Sequence, residues 1–521
     1  LCSECAKHGI SIILDGVFNH AGCDSRYFNK YGNYPDVGAA QGPDSPYANW
    51  FECKDDGTYA AWWGVDDLPD LNENDPAFRE FICGENGVVR TWLRAGARGW
   101  RLDVADELSD GFIAQIKEAV LAEKPDALLI GEVWEDASNK VSYGKLRQYF
   151  EGKELDGVMN YPLRTALLDF ICNRIGATEL TDRLEQLGEN YPRNAFYSLL
   201  NLLGSHDRER LFTVLGGAPD PDTLSEDQRA SFRLNEGQRG LAKSRLWLMA
   251  LLQMTLPGVP CVYYGDERGV EGFRDPYNRS TFPWDGGDLD CTTIYRNAIA
   301  VRKTLPVLLN GSFEPFAAGE DVFGFWRKED GECVCVLVNG SLEHARTVKV
   351  PMVKSRVDDV ISGRAPKVEH GQADVFLWPL GSAVLYFHET PLLEKSLERG
   401  MGVLAHITSL PNGTRPGTLG EPARRFVDWL SECGQTYWQV LPVNPTDEYG
   451  SPYAGLSAFA GNVSLLGDDP ETVLARSVSL GDESGYVCFC RDNAEWLTPY
   501  ALFQSIKDLY GGAPGRSGPR S

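Results

Sequence analysis

Six short apolar runs, each set among polar residues and alternating with helical patterns, set the tightest limit on how this chain can fold. The runs are Ile10–Phe18, Gly99–Val104, Leu128–Val133, Leu155–Met159, Leu199–Gly204 and Gly258–Tyr264. Helical patterns lie near Ser109–Leu121, Arg164–Gly188, Glu236–Leu256 and Thr292–Leu305. Strand followed by helix, repeated, gives a parallel sheet with helices outside. The runs end in Asp15/Asn19/His20, Arg101/Asp103, Glu132 and His206/Asp207. Polar chemistry gathered at the C-terminal ends of successive strands predicts an α/β chain of the (β/α)8 TIM-barrel type. An open doubly wound sheet would require a glycine-rich phosphate loop after a strand, and no such loop is found in the sequence.

Residues 21–75 interrupt this rhythm with Gly, Pro, Asp, Asn and the aromatics Tyr47, Trp50, Phe51, Tyr59, Trp62 and Trp63. A loop this long is usually functional. Its aromatic faces either stack on sugar C–H faces or pack on one another as a small subdomain. Short alternating strands follow Pro306 (Val322–Lys328, Cys333–Asn339, Thr347–Val350, Ala383–Phe387) and predict an antiparallel β-sandwich over 306–390. A charged linker is expected at 391–398. A new strand–helix–strand rhythm then begins (Gly402–Ile407, Pro422–Cys433, Tyr437–Pro442), read as the start of a second (β/α)8 barrel over 399–521. The tail Gly511–Ser521 reads as disordered. Six strands fall short of the eight that close a barrel, and 399–521 falls short of the ~250 residues one takes. The expectation is a partial barrel over 1–305 holding strands three to eight, in a chain cut at both ends.

Among 521 residues, 50 Lys and Arg stand against 74 Asp and Glu, a net charge of −24. So acidic a surface repels phosphates and anionic lipid, which excludes nucleic acid and membrane as partners. No apolar run reaches the roughly 18 residues of a membrane helix. Thirteen cysteines, an odd count spread thinly, read as reduced thiols in a cytoplasmic protein. Cys2 and Cys5 lie near His8, but no second CxxC completes a zinc set, so buried thiols are expected instead.

Arg101 and Asp103 are two apart on a strand and share a face. The guanidinium can hold the carboxylate ionised, as a nucleophile requires; the alternative is a structural ion pair. Glu132 sits beside Trp134, where partial desolvation would raise its proton affinity as a general acid needs; otherwise it is a strand-end Glu in water. Asp207, next to His206, can stabilise positive charge on a sugar ring. His20 can hydrogen-bond a hydroxyl or serve structurally. If these ends converge, the chemistry is glycoside cleavage through an oxocarbenium-like transition state. In its retaining form Asp103 attacks the anomeric carbon while Glu132 protonates the leaving oxygen, with the carboxyls roughly 5–5.5 Å apart.

The motifs DGVFNH (Asp15–His20), LPDLN (Leu68–Asn72), GWRLDVADE (Gly99–Glu107), GEVW (Gly131–Trp134) and SHD (Ser205–Asp207) occur in the order of the α-amylase family, glycoside hydrolase family 13. GVPCVYYGDE (Gly258–Glu267) and DPYNRSTFPW (Asp275–Trp284) extend this resemblance over about 1–390. Within the family, MNYP (Met159–Pro162) resembles the cyclomaltodextrinase and neopullulanase group. VADE and LPDLN depart from that group's VANE and MPKLN. The resemblance implies Asp103 as nucleophile, Glu132 as acid/base and Asp207 as transition-state stabiliser. It also implies Asp15, His20, Arg101, Trp134 and His206 as substrate contacts, and α-1,4-linked glucan or maltooligosaccharide as substrate.

Residues 399–510 resemble the N-terminal part of the 4-α-glucanotransferases called amylomaltases through RGMGVLAHITSLP (Arg399–Pro411), GQTYWQVLPVNPT (Gly434–Thr446), SPYAGLSAFAGN (Ser451–Asn462) and AEWLTPYALF (Ala494–Phe503). That likeness implies Tyr453 and Ser457 as glucan contacts, with the family's catalytic carboxylates beyond this segment. The expectation is a fusion of an α-glucan hydrolase with an incomplete glucanotransferase. The alternatives are a protein that is chiefly a 4-α-glucanotransferase and a non-catalytic glucan-binding scaffold. No cofactor is expected, since no ligand set with clear spacing supports calcium in the Asn/Asp-rich loop. A homo-oligomer is compatible with the full-length protein.

Overall fold

The computed structural model describes residues 1–54, 56–389, 400–413, 416–447, 449–466 and 489–509. The expected linker at 391–398 and the tail at 511–521 lie outside the described residues. The chain divides into two units, Leu1–Thr390 and Pro391–Ser521.

In the first unit the apolar runs become β1 (Ile13–Gly16), β2 (Gly99–Leu102), β3 (Leu128–Gly131), β4 (Gly157–Val158), β5 (Leu200–Leu202) and β6 (Val259–Cys261). β1 to β4 pair in sequence order, all parallel. A parallel bridge between Met159 and Leu200 carries the order to β5, which pairs parallel with β6. The strands are short because only a few residues per strand need ladder partners before the chain turns outward into a helix. In β1 only Gly16 is buried and in β6 no residue is, whereas three of the four residues in each of β2 and β3 are buried, so the outer strands are less covered.

The helices follow their caps. Helix α1 (Asp110–Glu123) starts where the Ser109 hydroxyl accepts from the Phe112 N–H, and it buries Phe112, Ile113, Ile116 and Val120. The pattern over Arg164–Gly188 is two helices rather than one, α2 (Tyr161–Ile171) and α3 (Ala177–Asn190). Between them Asn173 takes φ 58°, a left-handed turn that Asn tolerates. Its side-chain amide donates to the Gly340 carbonyl at 2.9 Å, which anchors the break. Further along lie α4 (Leu211–Leu215), α5 (Glu236–Thr255) and α6 (Leu289–Thr304).

The inserted segment follows the second of its two readings for most of its aromatics. Trp50 and Phe51 are buried, and Tyr27, Tyr47, Trp50 and Phe81 pack at ring separations of 4.9–5.4 Å. Trp62 and Trp63 behave differently, as described below.

After α6 the chain forms eight antiparallel strands: β7 (Glu314–Ala317), β8 (Val322–Glu329), β9 (Glu332–Asn339), β10 (Arg346–Pro351), β11 (Arg356–Asp359), β12 (Lys367–Glu369), β13 (Gln372–Leu377) and β14 (Ser382–His388). They make one sheet in the order β11-β14-β9-β8-β7 and another in the order β10-β13-β12. β9 is covered on both faces. Val334, Val336 and Val338 join the core of the parallel sheet, whereas Cys333, Cys335 and Leu337 join the sandwich core. This is why ECVCVLVN is nearly continuous in apolar residues. Arg327 is fully buried at the junction and donates to the Gly311, Ser312 and Thr255 carbonyls, the last at the C-terminal end of α5. Cys333 and Cys335 are buried as expected, but Cys2 and Cys5 are only half-buried.

Among its described residues the second unit contains a β–α–β crossover. β15 (Gly402–Leu404) pairs parallel with β16 (Tyr437–Gln439), with α7 (Glu421–Glu432) between them in sequence, and α8 (Ala494–Leu509) follows. Among the described residues no helix is long and apolar enough to cross a membrane.

Candidate active site

The parallel register of β1 and β2 sets Asp15 opposite Arg101. From there Nη1 of Arg101 donates to both Asp15 carboxylate oxygens at 2.8 and 2.9 Å and to Oδ1 of Asp103 at 2.7 Å. Its Nη2 lies 2.8 Å from Oε1 of Glu132, at the end of β3. One guanidinium therefore ties three carboxylates from three neighbouring strands. Burial opposes its charge, but Glu132, Asp15 and Asp103 outweigh that and hold its pKa above the usual value. Burial pushes the Glu132 carboxyl up from the ordinary range, although Arg101 and the Val104 N–H pull it down. The charges of Asp103 and Asp207 add to the upward shift. Glu132, with its raised proton affinity, thus lies beside an Asp103 that is paired with Arg101.

Val104, immediately after Asp103, has φ 39°. A β-branched residue in that region costs on the order of 1–3 kcal/mol. The turn aims the Val104 N–H at Oε2 of Glu132, 3.1 Å away. Sequence periodicity carries no trace of this strain.

Asp207 and His206 lie just past β5. His206 Nε2 is 3.3 Å from Oδ2 of Asp207, and the Asp207 N–H donates to the Ser205 hydroxyl at 3.2 Å. The loop is clamped by two residues that the sequence reading missed. Asn278, fully buried, donates through Nδ2 to the carbonyls of His206 and Arg208 at 2.7 and 2.8 Å. Arg279 reaches Oδ1 of Asp207 at 3.7 Å and the His206 carbonyl at 3.2 Å. Both belong to DPYNRSTFPW, a segment with no role beyond the resemblance. Deeper, Arg210 and Asp266 form a buried pair at 3.6 Å that joins the segments after β5 and β6.

Trp134 stacks on Tyr161 at 4.7 Å and 12°, and the Arg208 guanidinium lies 4.3 Å from the indole centroid. The indole, two residues after Glu132, is thus packed against Tyr161 and Arg208. Tyr161 also went unpredicted, yet it lies within electrostatic reach of Glu132, Asp207 and Arg101. Burial pushes its hydroxyl up to about 12. Its signal was position alone: it follows β4 as the other site residues follow their strands. His20 stacks on Trp62 at 4.8 Å and 22°. Burial lowers its pKa against the pull of Asp103 and Glu107, which favours the neutral ring.

A cavity of about 430 Å³ adjoins this edge, lined by Glu52, Trp62, Trp63, Asp70, Glu107 and Tyr143 among others. Glu107 accepts from Trp63 Nε1 at 3.2 Å and from the Tyr143 hydroxyl at 2.6 Å. Burial, then Glu52 and Glu107, hold the Asp70 carboxyl up at about 6. The folded state therefore binds a proton more tightly than the unfolded chain, and stability falls as pH rises from about 4 to about 6. Asp70→Asn is expected to raise the unfolding midpoint at pH 8 and leave it nearly unchanged at pH 4. Thermal unfolding at the two pH values checks this; an equal effect at both would refute it. Among the described residues no group of three or more His, Cys, Asp or Glu side chains is placed to hold a metal ion.

Tyr453 and Ser457 belong to the second unit. Tyr453 is exposed, and the Ser457 hydroxyl accepts from the N–H groups of Phe459 and Ala460 at 3.1 and 3.0 Å.

Residues 1–306 match the alpha-amylase catalytic domain, and residues 405–484 match the 4-alpha-glucanotransferase family. The amylopullulanase of Thermoanaerobacter thermohydrosulfuricus is 35% identical over 432 residues, covering 74% of this chain and 28% of that protein. The cyclomaltodextrinase of Geobacillus thermopakistaniensis is 33% identical over 366 residues, covering 68% of this chain and 54% of that protein. The chain thus spans about half or less of these relatives. The ligand-free structure of cyclic alpha-maltosyl-(1→6)-maltose hydrolase from Arthrobacter globiformis superposes with a TM-score of 0.59 at 27% identity, covering 74% of this chain and 78% of that one. The parallel strands and the sheets after them are accordingly a TIM-barrel fold with a C-terminal sheet domain. With carboxylates at the ends of successive strands and a match across residues 1–306, the chain belongs to the alpha-amylase family.

Proposed function

We propose that the first unit cleaves α-1,4-glucosidic bonds with retention of anomeric configuration, in maltooligosaccharides, cyclomaltodextrins or starch fragments. The observation that carries this reading is the Arg101 guanidinium shared by Asp103 and Glu132, with the proton affinity of Glu132 raised by burial. Asp103 attacks the anomeric carbon, the bond to the leaving oxygen breaks, and Glu132 gives its proton to that oxygen. Glu132 then takes a proton from water, or from a sugar hydroxyl in transfer, as the incoming oxygen displaces Asp103. Asp207, held by Asn278 and Arg279, stabilises the positive charge that develops on the ring in the transition state of each displacement. His20, His206 and Asp15 meet substrate hydroxyls, and Trp134 walls the site. The names of the relatives, cyclomaltodextrinase and amylopullulanase, support the substrate class.

The second unit is read as the opening part of a 4-α-glucanotransferase, with Tyr453 and Ser457 as its glucan contacts. Product analysis on maltotriose and on a cyclomaltodextrin separates the two activities. Ring opening with release of maltose or glucose, the new end first appearing as the α-anomer, is the expected result. Redistribution of maltotriose into longer chains, with the ring untouched, would overturn the hydrolytic reading of the first unit.

A further inference from the structure

Arg208 and Glu209 follow Asp207 directly, and Glu209 also lines a separate cavity of about 610 Å³. Four arginines face this cavity, Arg164, Arg174, Arg245 and Arg274, against the two carboxylates of Glu209 and Asp220. A cationic hollow stands out in a chain of net charge −24.

The two deep arginines are each only 6% exposed. Arg164 donates through Nε to the Leu203 carbonyl at 2.8 Å, and Arg245 through Nη1 to the Leu215 carbonyl at 2.9 Å. Among the described residues neither guanidinium has a carboxylate at ion-pair distance, and Nε of Arg245 is buried without a hydrogen bond. A buried cation without a counter-charge is costly. Burial brings Arg164 down to about 10, with Arg208 adding to the fall and Glu209 and Asp266 only partly offsetting it. At the mouth, Arg174 pairs with Asp169 at 3.2 Å and Arg274 with Glu209 at 2.5 Å.

The geometry points to a binding site for a small phosphomonoester of about hexose-phosphate size, held through Arg164 and Arg245 with Arg174 and Arg274 at the entrance. Arg174 and Arg274 are matched by Asp169 and Glu209, so the two guanidinium groups without an ion-pair partner are those of the buried Arg164 and Arg245, and together they match the roughly −1.5 to −2 of a phosphomonoester at neutral pH. A carboxylate would neutralise only half of that excess. Guanidinium forks also suit phosphate oxygens in paired hydrogen bonds. Leu168, Val214, Pro219 and Phe273 supply apolar wall for the carbon skeleton, which a bare phosphate does not need.

Calorimetric titration of the chain at fixed ionic strength, with glucose 6-phosphate, inorganic phosphate and glucose as separate probes, tests this. Glucose 6-phosphate is expected to bind at one site, inorganic phosphate more weakly at the same site, and excess maltotriose to leave both titrations unchanged. The double variant Arg174→Gln/Arg274→Gln alters side chains that are each 58% exposed, so the fold should persist. It is expected to weaken both phosphate probes by at least ~10-fold. Binding that maltotriose displaces, or that the double variant leaves undiminished, overturns the proposal, as does no binding at all. Binding of inorganic phosphate without glucose 6-phosphate also overturns the phosphomonoester assignment.

Discussion

Asp103→Asn is expected to lower hydrolysis of maltotriose by at least ~10⁴-fold, because an amide cannot form the glycosyl–enzyme bond. The fold should survive, since Arg101 keeps its contacts with Asp15 and Glu132 and the amide is isosteric. Glu132→Gln should cost less, about 10²–10⁴-fold, since it removes only proton transfer. The two variants separate on a substrate whose leaving group needs no proton, such as a glycosyl fluoride. There Glu132→Gln recovers its first step and Asp103→Asn does not. The alkaline limb of the wild-type profile should also vanish in Glu132→Gln. A carboxyl raised by burial acts as acid only below its raised pKa, so wild-type activity falls as pH climbs through that value. Residual Asp103→Asn activity above ~1% of wild type would remove Asp103 from the nucleophile role.

Arg101→Met is expected to have the largest effect on stability. It leaves three carboxylates without the cation they share, and Glu132 is 5% exposed at its side chain. Removing one member of a buried ionic cluster costs about 3–5 kcal/mol. The lower end applies here because Asp15 is 52% exposed and its contribution is screened by water. The sign with pH is fixed. The deficit should be greatest above the raised Glu132 pKa, where that carboxylate is charged, and should shrink as pH falls and Glu132 takes up its proton. Arg101→Lys keeps a charge but not the two Nη groups that reach different carboxylates, so it should restore part of the stability and little of the activity. Thermal unfolding of both variants at pH 5 and pH 8 gives the comparison. An Arg101→Met midpoint equal to wild type at pH 8 would show that the three carboxylates do not depend on this cation.

The inserted segment shows why part of the site escaped the sequence. Its aromatics are equally consistent with stacking on sugar and with packing on one another, because ring content says nothing about which faces stay open. Trp50 is buried while Trp63 is 81% exposed and bonded to Glu107, a residue 44 positions away. Asn278 and Arg279 were invisible for the same reason. Their partners are the carbonyls and carboxylate of 206–208, some 70 positions earlier, and no local period encodes that contact.

The order of strands and helices, the sandwich, and the placing of Asp15, Arg101, Asp103, Glu132 and Asp207 at strand ends were determined by the sequence itself. Strand period, helix caps and turn residues are local properties, and short-range sterics and burial enforce them wherever the chain goes. Only the tertiary structure decided that one guanidinium serves three carboxylates, that Val104 is strained to face Glu132, and that four arginines from residues 164, 174, 245 and 274 surround one cavity. Those arrangements depend on strand register and on helices docking from distant parts of the chain. Burial then raises the proton affinity of Glu132, and burial is a property of the assembled fold.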